Sequence, residues 1–390
     1  MSLLTEKIYQ QLLFYQRGRR LIMKIICNRS KLIERVNIVL KAVSSKSTMP
    51  ILGCLILEVS NNIKLITTDM ELGIETIVDG EIIEPGKIAL DAKFFSEIIR
   101  KLPDDIVTIE TDYDYNATIS CGKSKFNIVG KSGEDFPALP TISRETSISL
   151  SQFALKEIIR QTVFSIAYDE NNKIMTGELF EIENDVLKAV SLDGHRISIR
   201  KIQLNNNYSP IKVIVPGKTL NEVSKILSDN TEKNVNIFFT DKHMLFEFDN
   251  TLVVSRLIEG EYFKIAQMLS NDYETKLTVN KMEFLSCIER ASLLIRESDK
   301  NPLIININGD NMELKVSSKA GNMNEDVNVV KEGTDIVIGF NPKFLMDALK
   351  VIDDEFVDIY LINSKAPCFI KDRDESYIYL ILPVNIIVNN

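Results

Sequence analysis

In the stretch VSLDGHRISIR (190–200), Asp193, His195 and Arg196 place a carboxylate, an imidazole and a guanidinium within four positions. A carboxylate beside an imidazole can serve general acid–base catalysis or hold a metal. The same residues around Gly194 can also form a tight turn, or a surface that another protein grips. The chemical readings need further groups. The only other histidine is His243, and Cys27, Cys54, Cys121, Cys287 and Cys368 are odd in number and widely spaced. Without a CxxC pair they suggest neither a disulfide framework nor a zinc site, and they read as reduced, mostly buried thiols of a cytoplasmic protein. There is no glycine-rich phosphate loop, and the acidic stretches VIDDEF and KDRDES read as surface turns. No nucleophile, base or metal set emerges, so neither an enzyme nor a cofactor is predicted.

The elements that carry this stretch are legible because the chain repeats itself. ALDAKFF ends at Phe95, IVPGKTL at Leu220 and GFNPKFL at Leu345, two intervals of 125 residues. Each opens a helix-like run (KFFSEIIRKL, KTLNEVSKIL, KFLMDALKVI), and each run is followed by a valine-led strand pattern (VTIET, VNIFF, VDIYL). A second triplet precedes these: NRSKLIERVNIVLKAV, SQFALKEIIRQTVFSI and NKMEFLSCIERASLLI. Asn28, Ser151 and Asn280 stand at their starts, where such side chains accept the free N–H groups of a first turn. Leu32, Val36, Val39 and Val43 recur at helical spacing, so one face is meant for burial. Alternating stretches such as KLITTD, TISCG, KFNIV and LFEFD read as strands.

The predicted fold is therefore α+β: three tandem repeats, each with two helices packed on antiparallel strands. The expected domains are residues 23–142, 143–267 and 268–390. Residues 1–22 stand apart as an N-terminal extension, expected to be non-native or disordered, with Met23 as the natural start. TTDMELGIE, SLDGHRISI and VSSKAGNMN fall at equivalent places, which puts DGHR at a recurrent turn after a strand. The longest apolar runs, such as LILPVNIIV, are too short to span a membrane, and no secretory signal is read at the start.

Charge gives the first hint of a ligand. The net charge of −9 by itself argues against nucleic acid. Yet the second helix of every repeat carries the same basic pair: Lys93 and Arg100, Lys218 and Lys225, Lys343 and Lys350. Seven residues is about two turns, so each pair lies on one face about 10 Å apart, opposite Phe95, Ile98 and Leu102 or Leu220, Val223 and Leu227. In the first helices, Lys31 and Arg35, and Lys156 and Arg160, stand at i and i+4. If the repeats close around an axis with these helices inward, a basic lining coexists with an acidic exterior. Such a lining suits the phosphates of a duplex without reading its sequence. Few aromatics are interleaved, so single-strand stacking is not predicted.

Across residues 23–386, TMPILGCLILE, TTDMELGIE, FFSEIIRKLP, GEDFPALP, TGELFE, SLDGHRI, VIVPGK, SRLIEGEY, IGFNPKFLMDAL and YLILPVNI resemble, in order, the bacterial replicative sliding clamp family, the beta subunit of DNA polymerase III. The resemblance implies a head-to-tail homodimer closing a ring around duplex DNA. It implies no chemistry of its own, with the replicative polymerase catalytic subunit, the clamp loader and other proteins bearing a clamp-binding motif as partners. By motif, Lys46 resembles a basic loop residue facing DNA, and Lys93 and Lys218 match inward basic positions. Partner peptides would enter an apolar pocket between the second and third domains. The matching positions are Met175, Leu192, Gly194, His195, Arg196, Ile197, Phe263, Met268, Leu380, Leu382 and Pro383. In this reading Gly194 permits close backbone approach, while His195 and Arg196 frame the rim. Two departures mark the pocket: Phe263 stands where the family commonly has proline, and the loop DENNKIM lacks paired tyrosines. Dimerisation by resemblance joins Phe126 and Ile128 of the first domain to Leu293 and Leu294 of the third. The competing reading is a repeat scaffold that forms no ring and binds proteins only.

Overall fold

The computed structural model describes residues 23–44, 48–168, 171–295, 301–372 and 374–386. Lys46 and the extension 1–22 lie outside the described residues. Six α-helices occur among the described residues: α1 (Arg29–Val39), α2 (Ala92–Lys101), α3 (Gln152–Thr162), α4 (Gly217–Ser224), α5 (Lys281–Ser292) and α6 (Pro342–Val351). They pack in pairs, α1 with α2, α3 with α4 and α5 with α6.

Local chemistry explains where they begin. The Asn28 side chain accepts from Ser30 N at 2.9 Å, that of Ser151 from Ala154 N at 3.1 Å, and that of Asn280 from Glu283 N at 3.1 Å. All three are the caps expected from sequence. The second helices are less uniform. Asp91 caps α2 and Asn341 caps α6, but α4 follows Pro216 with no side-chain cap. Each helix buries an apolar stripe, such as Leu32, Val36 and Val39 on α1 and Leu345, Ala348 and Leu349 on α6.

Among the described residues the strands form three antiparallel sheets, and here the structure departs from a simple row of repeats. A five-stranded sheet runs in the order Gly80–Glu84, Met23–Asn28, Ile106–Thr111, Asn116–Cys121 and Ser124–Val129. An eight-stranded sheet joins strands of two repeats through Thr251–Arg256 and Leu72–Val78, with Leu252 opposite Glu75. A ten-stranded sheet does likewise where Arg196–Pro216 pairs with Tyr377–Ile381, Ile197 opposite Leu380. By contact density the chain forms two compact units. One runs through Ile148 and adds Val235–Arg256; the other comprises Ser149–Asn234 and Leu257–Asn390. The middle repeat is thus shared between them, because its strands satisfy their backbone groups on neighbours from both sides.

The recurrent turn is real and its chemistry repeats. Asp69 Oδ1 accepts from Glu71 N at 3.1 Å, Asp193 Oδ1 from His195 N at 3.0 Å, and Ser318 Oγ from Ala320 N at 3.1 Å. This is the side-chain turn that Asp and Ser make two residues ahead. The residue after each Asp adopts positive φ, +86° at Gly194 but +78° at Met70. The side-chain-bearing Met70 tolerates this at a cost of about 1–2 kcal/mol.

Candidate partner cleft and basic helix faces

The Asp193–Arg196 turn closes with Asp193 N donating to Arg196 O at 3.3 Å, while Asp193 Oδ1 also takes Arg196 N at 3.2 Å. The φ of +86° favours glycine at 194. A Cβ at this position would meet no atom of this chain within 4 Å. Leu382 N donates to His195 O at 2.9 Å, bringing the C-terminal segment alongside the turn.

Arg196 is a correction to the sequence reading. It does not frame a rim, because it is only 4% exposed. Its guanidinium reaches Asp193 Oδ2 at 2.9 Å, Asp347 Oδ2 at 2.6 Å and the Phe164 carbonyl at 2.7 Å. It also stands 4.5 Å above the Phe344 ring, with Phe164 on another side at 5.5 Å. Burial alone would lower its pKa, but Tyr379, Asp347 and Asp193 together hold it above the usual guanidinium value. Sequence gave no sign of Asp347, which lies 151 residues away. His195 does lie on the surface, its ring stacked on Phe344 with centroids 6.1 Å apart.

The other expected pocket residues divide into floor and surface. Leu192, Ile197 and Leu380 are buried in a core cluster with Leu179, Val190 and Tyr262. Met175 and Phe263 are partly buried and pack against it, Met268 is exposed, Pro383 is half-buried, and Leu382 is 39% exposed. Of these positions Met175, Phe263, Met268, Leu382 and Pro383 keep apolar surface exposed or half-exposed. Tyr262 braces the floor through a 3.1 Å bond from its hydroxyl to Val190 O.

One buried group beside this floor had no signal in the sequence. Glu178, next to Leu179, is fully buried, and its Oε2 has no hydrogen-bond partner. Thr162 Oγ1 lies 2.5 Å from Ile158 O and 2.6 Å from Glu178 Oε1. A hydroxyl has one proton, and a carbonyl oxygen can only accept. That single proton is shared between Ile158 O and Glu178 Oε1, so the two buried carboxyl oxygens have at most one donor between them. Burial raises its pKa to about 8, outweighing the Thr162 hydrogen bond, which lowers it.

All six basic side chains of the second helices are exposed: Lys93, Arg100, Lys218, Lys225, Lys343 and Lys350. The predicted opposite faces are buried at Phe95, Ile98 and Leu102, and at Leu220, Val223 and Leu227. Lys225 lies one residue beyond α4 and pairs with Glu222 at 2.7 Å, and Lys350 pairs with Glu289 at 3.2 Å. Lys93 and Lys343, each second in its helix, make no ion pair among the described residues. The basic residues of the first helices are more engaged. Lys31 binds Asp79 at 3.1 Å, Lys156 binds Asp229 at 2.5 Å, and Arg160 binds Asp353 at 2.8 Å.

The expected association residues also separate. Ser124–Val129 ends its sheet's strand order, so one side is an edge, and Phe126 on it is exposed. Ile128, two residues on and therefore on the same face of the strand, is only 8% exposed. Leu293 is 83% exposed, and Leu294 is partly buried against the third repeat's core.

A thrice-repeated unit of paired helices on sheets that cross the repeat boundaries defines a clamp-type chain. Residues 23–140, 149–264 and 266–385 match, respectively, the N-terminal, central and C-terminal domains of the DNA polymerase III beta subunit. The chain belongs to the DNA polymerase III beta subunit family. It is 37% identical over 374 residues to the beta sliding clamp of Staphylococcus epidermidis, covering 93% of this chain and 99% of that one. A putative DNA polymerase III beta subunit from Eubacterium rectale superposes with a TM-score of 0.91 at 60% identity, covering 93% of this chain and all of the other. The DNA polymerase sliding clamp of Bacillus subtilis gives 0.90 at 35% identity, covering 94% and 100%. Among the described residues no helix is long and apolar enough to cross a membrane.

Proposed function

We propose that this chain is a DNA sliding clamp, a non-catalytic processivity factor that closes as a head-to-tail homodimer around duplex DNA in the cytoplasm. The observation that carries this reading is the lysine at the second position of the second helix in each repeat. Lys93, Lys218 and Lys343 are all exposed over buried apolar stripes, in a chain whose net charge is −9. Basic side chains concentrated on corresponding faces give sequence-independent phosphate contact, and the acidic remainder discourages adhesion elsewhere.

The proposed dimer surfaces are the Ser124–Val129 edge around Phe126 and the exposed Leu293 with Leu294. An unpaired edge strand is a template for a second chain. Partner proteins, among them the replicative polymerase and the clamp loader, are proposed to insert an apolar peptide anchor against Met175, Phe263, Met268 and Leu382.

Charge reversal at Lys218 and Lys343 tests the DNA face. The double variant is expected to load less onto nicked circular DNA and to flatten the salt dependence by about one unit of log–log slope per lost phosphate contact. The dimer mass in light scattering should be unchanged. Unaltered loading would count against the basic faces. Loss from linearised but not circular DNA separates a ring from a scaffold that binds proteins only. In the cleft, Leu382→Ala should weaken a polymerase-tail peptide about tenfold in fluorescence polarisation, with the same dimer mass. Equal peptide affinity would remove Leu382 from the site.

A further inference from the structure

Sulfur is the atom of this chain that peroxides oxidise most readily, and its two kinds of side chain are distributed differently. All five cysteines are buried, and burial pushes every one of their thiols up, Cys27 and Cys287 to about 12. A buried, protonated thiol is a poor nucleophile toward an oxidant. Methionine needs no ionisation, and its thioether reacts where it meets solvent. Met23, Met244 and Met312 are fully buried, and Met323 and Met346 pack against the third repeat's core. Among the described residues that leaves Met49, Met70, Met268 and Met282 exposed and Met175 half-buried.

Two of these five, Met175 and Met268, belong to the proposed partner cleft, and hydrogen-bonded backbone holds both there. Met268 N donates to Ile265 O at 2.8 Å, and Ile265 and Leu269 on either side of it pack with the floor cluster that contains Leu192 and Leu380. Met175 N donates to Asn172 O at 3.0 Å, its carbonyl accepts from Ala167 N at 2.8 Å, and its side chain lies against the same cluster. Unbranched and polarisable, such side chains adapt to an apolar anchor. Conversion to the sulfoxide makes the same groups polar and chiral. A sulfoxide oxygen pressed against an apolar anchor gives up water without finding a donor.

We propose, on the reading of this surface as the partner cleft, that Met268 and Met175 are oxidation sites through which a peroxide weakens the hold on partner peptides. The peroxide's terminal oxygen passes to the thioether: an S–O bond forms as the O–O bond breaks, sulfur gives up two electrons, and hydrogen peroxide leaves as water. Met268, 49% exposed, reacts first, and the half-buried Met175 follows. A methionine sulfoxide reductase with a dithiol reductant reverses the change, the dithiol becoming a disulfide and the oxygen leaving as water.

The test treats the full-length dimer with hydrogen peroxide, quenches with catalase and locates sulfoxides by peptide mass mapping. Fluorescence polarisation then measures affinity for a polymerase-tail peptide free of methionine and cysteine. Affinity should fall about tenfold as Met268 and Met175 oxidise, the cost of desolvating one polar group, and should return after reductase treatment. Dimer mass and unfolding midpoint should not move. Met175→Leu/Met268→Leu, whatever its starting affinity, should bind equally before and after peroxide although Met49, Met70 and Met282 oxidise. Met268→Gln, a polar side chain of similar length, should bind more weakly than the parent without any oxidant. A parent that binds no peptide before peroxide would sink the cleft reading itself, and the oxidation sites with it. Full sulfoxide at both positions with unchanged affinity, an equal loss in the leucine variant, or a Met268 that resists peroxide while Met282 oxidises would overturn the proposal alone.

Discussion

Arg196→Ala is expected to destabilise the unit that contains the partner cleft by about 3–5 kcal/mol, the cost of removing one member of a buried charge network. The change strands Asp193, 15% exposed at its side chain, and Asp347 with no cation, and it frees the Phe164 carbonyl. It also removes the planar group packed between Phe344 and Phe164. Arg196→Lys should recover only part of the loss, since one ammonium cannot reproduce a fork that serves three acceptors. Adding Asp347→Leu to Arg196→Met should recover more, because an apolar pair of similar volume needs no compensating charge. Urea unfolding of the four proteins measures all of this. An Arg196→Ala midpoint equal to that of the parent would show that the network contributes nothing. The result also bears on the cleft: because Arg196 fixes the turn that carries His195, its truncation should weaken peptide binding through the turn's disorder. Leu382→Ala is therefore the cleaner probe of direct contact.

Glu178→Gln is expected to stabilise the folded chain at neutral and mildly alkaline pH. The buried carboxyl titrates near 8 in the folded state and near 4.5 when free. Between those values the folded chain holds a proton that the unfolded chain has released. Stability therefore falls as pH rises through that window, by about 1.4 kcal/mol per pH unit, and levels off above it. A glutamine stays neutral throughout, and its amide can either donate to Thr162 Oγ1 or accept from it. At pH 7 the variant should gain on the order of 3 kcal/mol over the parent, and the two should converge near pH 4.5. Denaturant unfolding from pH 5 to 9 reads this directly, because other titrating groups are common to both chains. Parallel pH profiles would mean that Glu178 does not change protonation on folding.

Both predictions concern residues whose burial and partners the sequence did not announce, and the reason is physical. Short-range chemistry was legible: the caps at Asn28, Ser151 and Asn280, the apolar stripes at helical spacing, the Asp193 turn and the three-fold recurrence of lysine at one helical position. Each depends on residues within a few positions of one another, where backbone geometry is set by local hydrogen bonds. The repeats likewise revealed the fold class, since a copied unit must bury its copied face. What the tertiary structure alone decided was the environment of each polar group. Arg196 looked like a rim residue until Asp347 and Phe164 enclosed it, Ile128 looked like an edge residue until tertiary packing covered it and left Phe126 on the same face exposed, and Glu178 was unremarked until Thr162 came within 2.6 Å. Burial and partnership across such separations follow from how sheets join neighbouring repeats. A charge's protonation and accessibility depend on that enclosure far more than on its immediate neighbours in the chain.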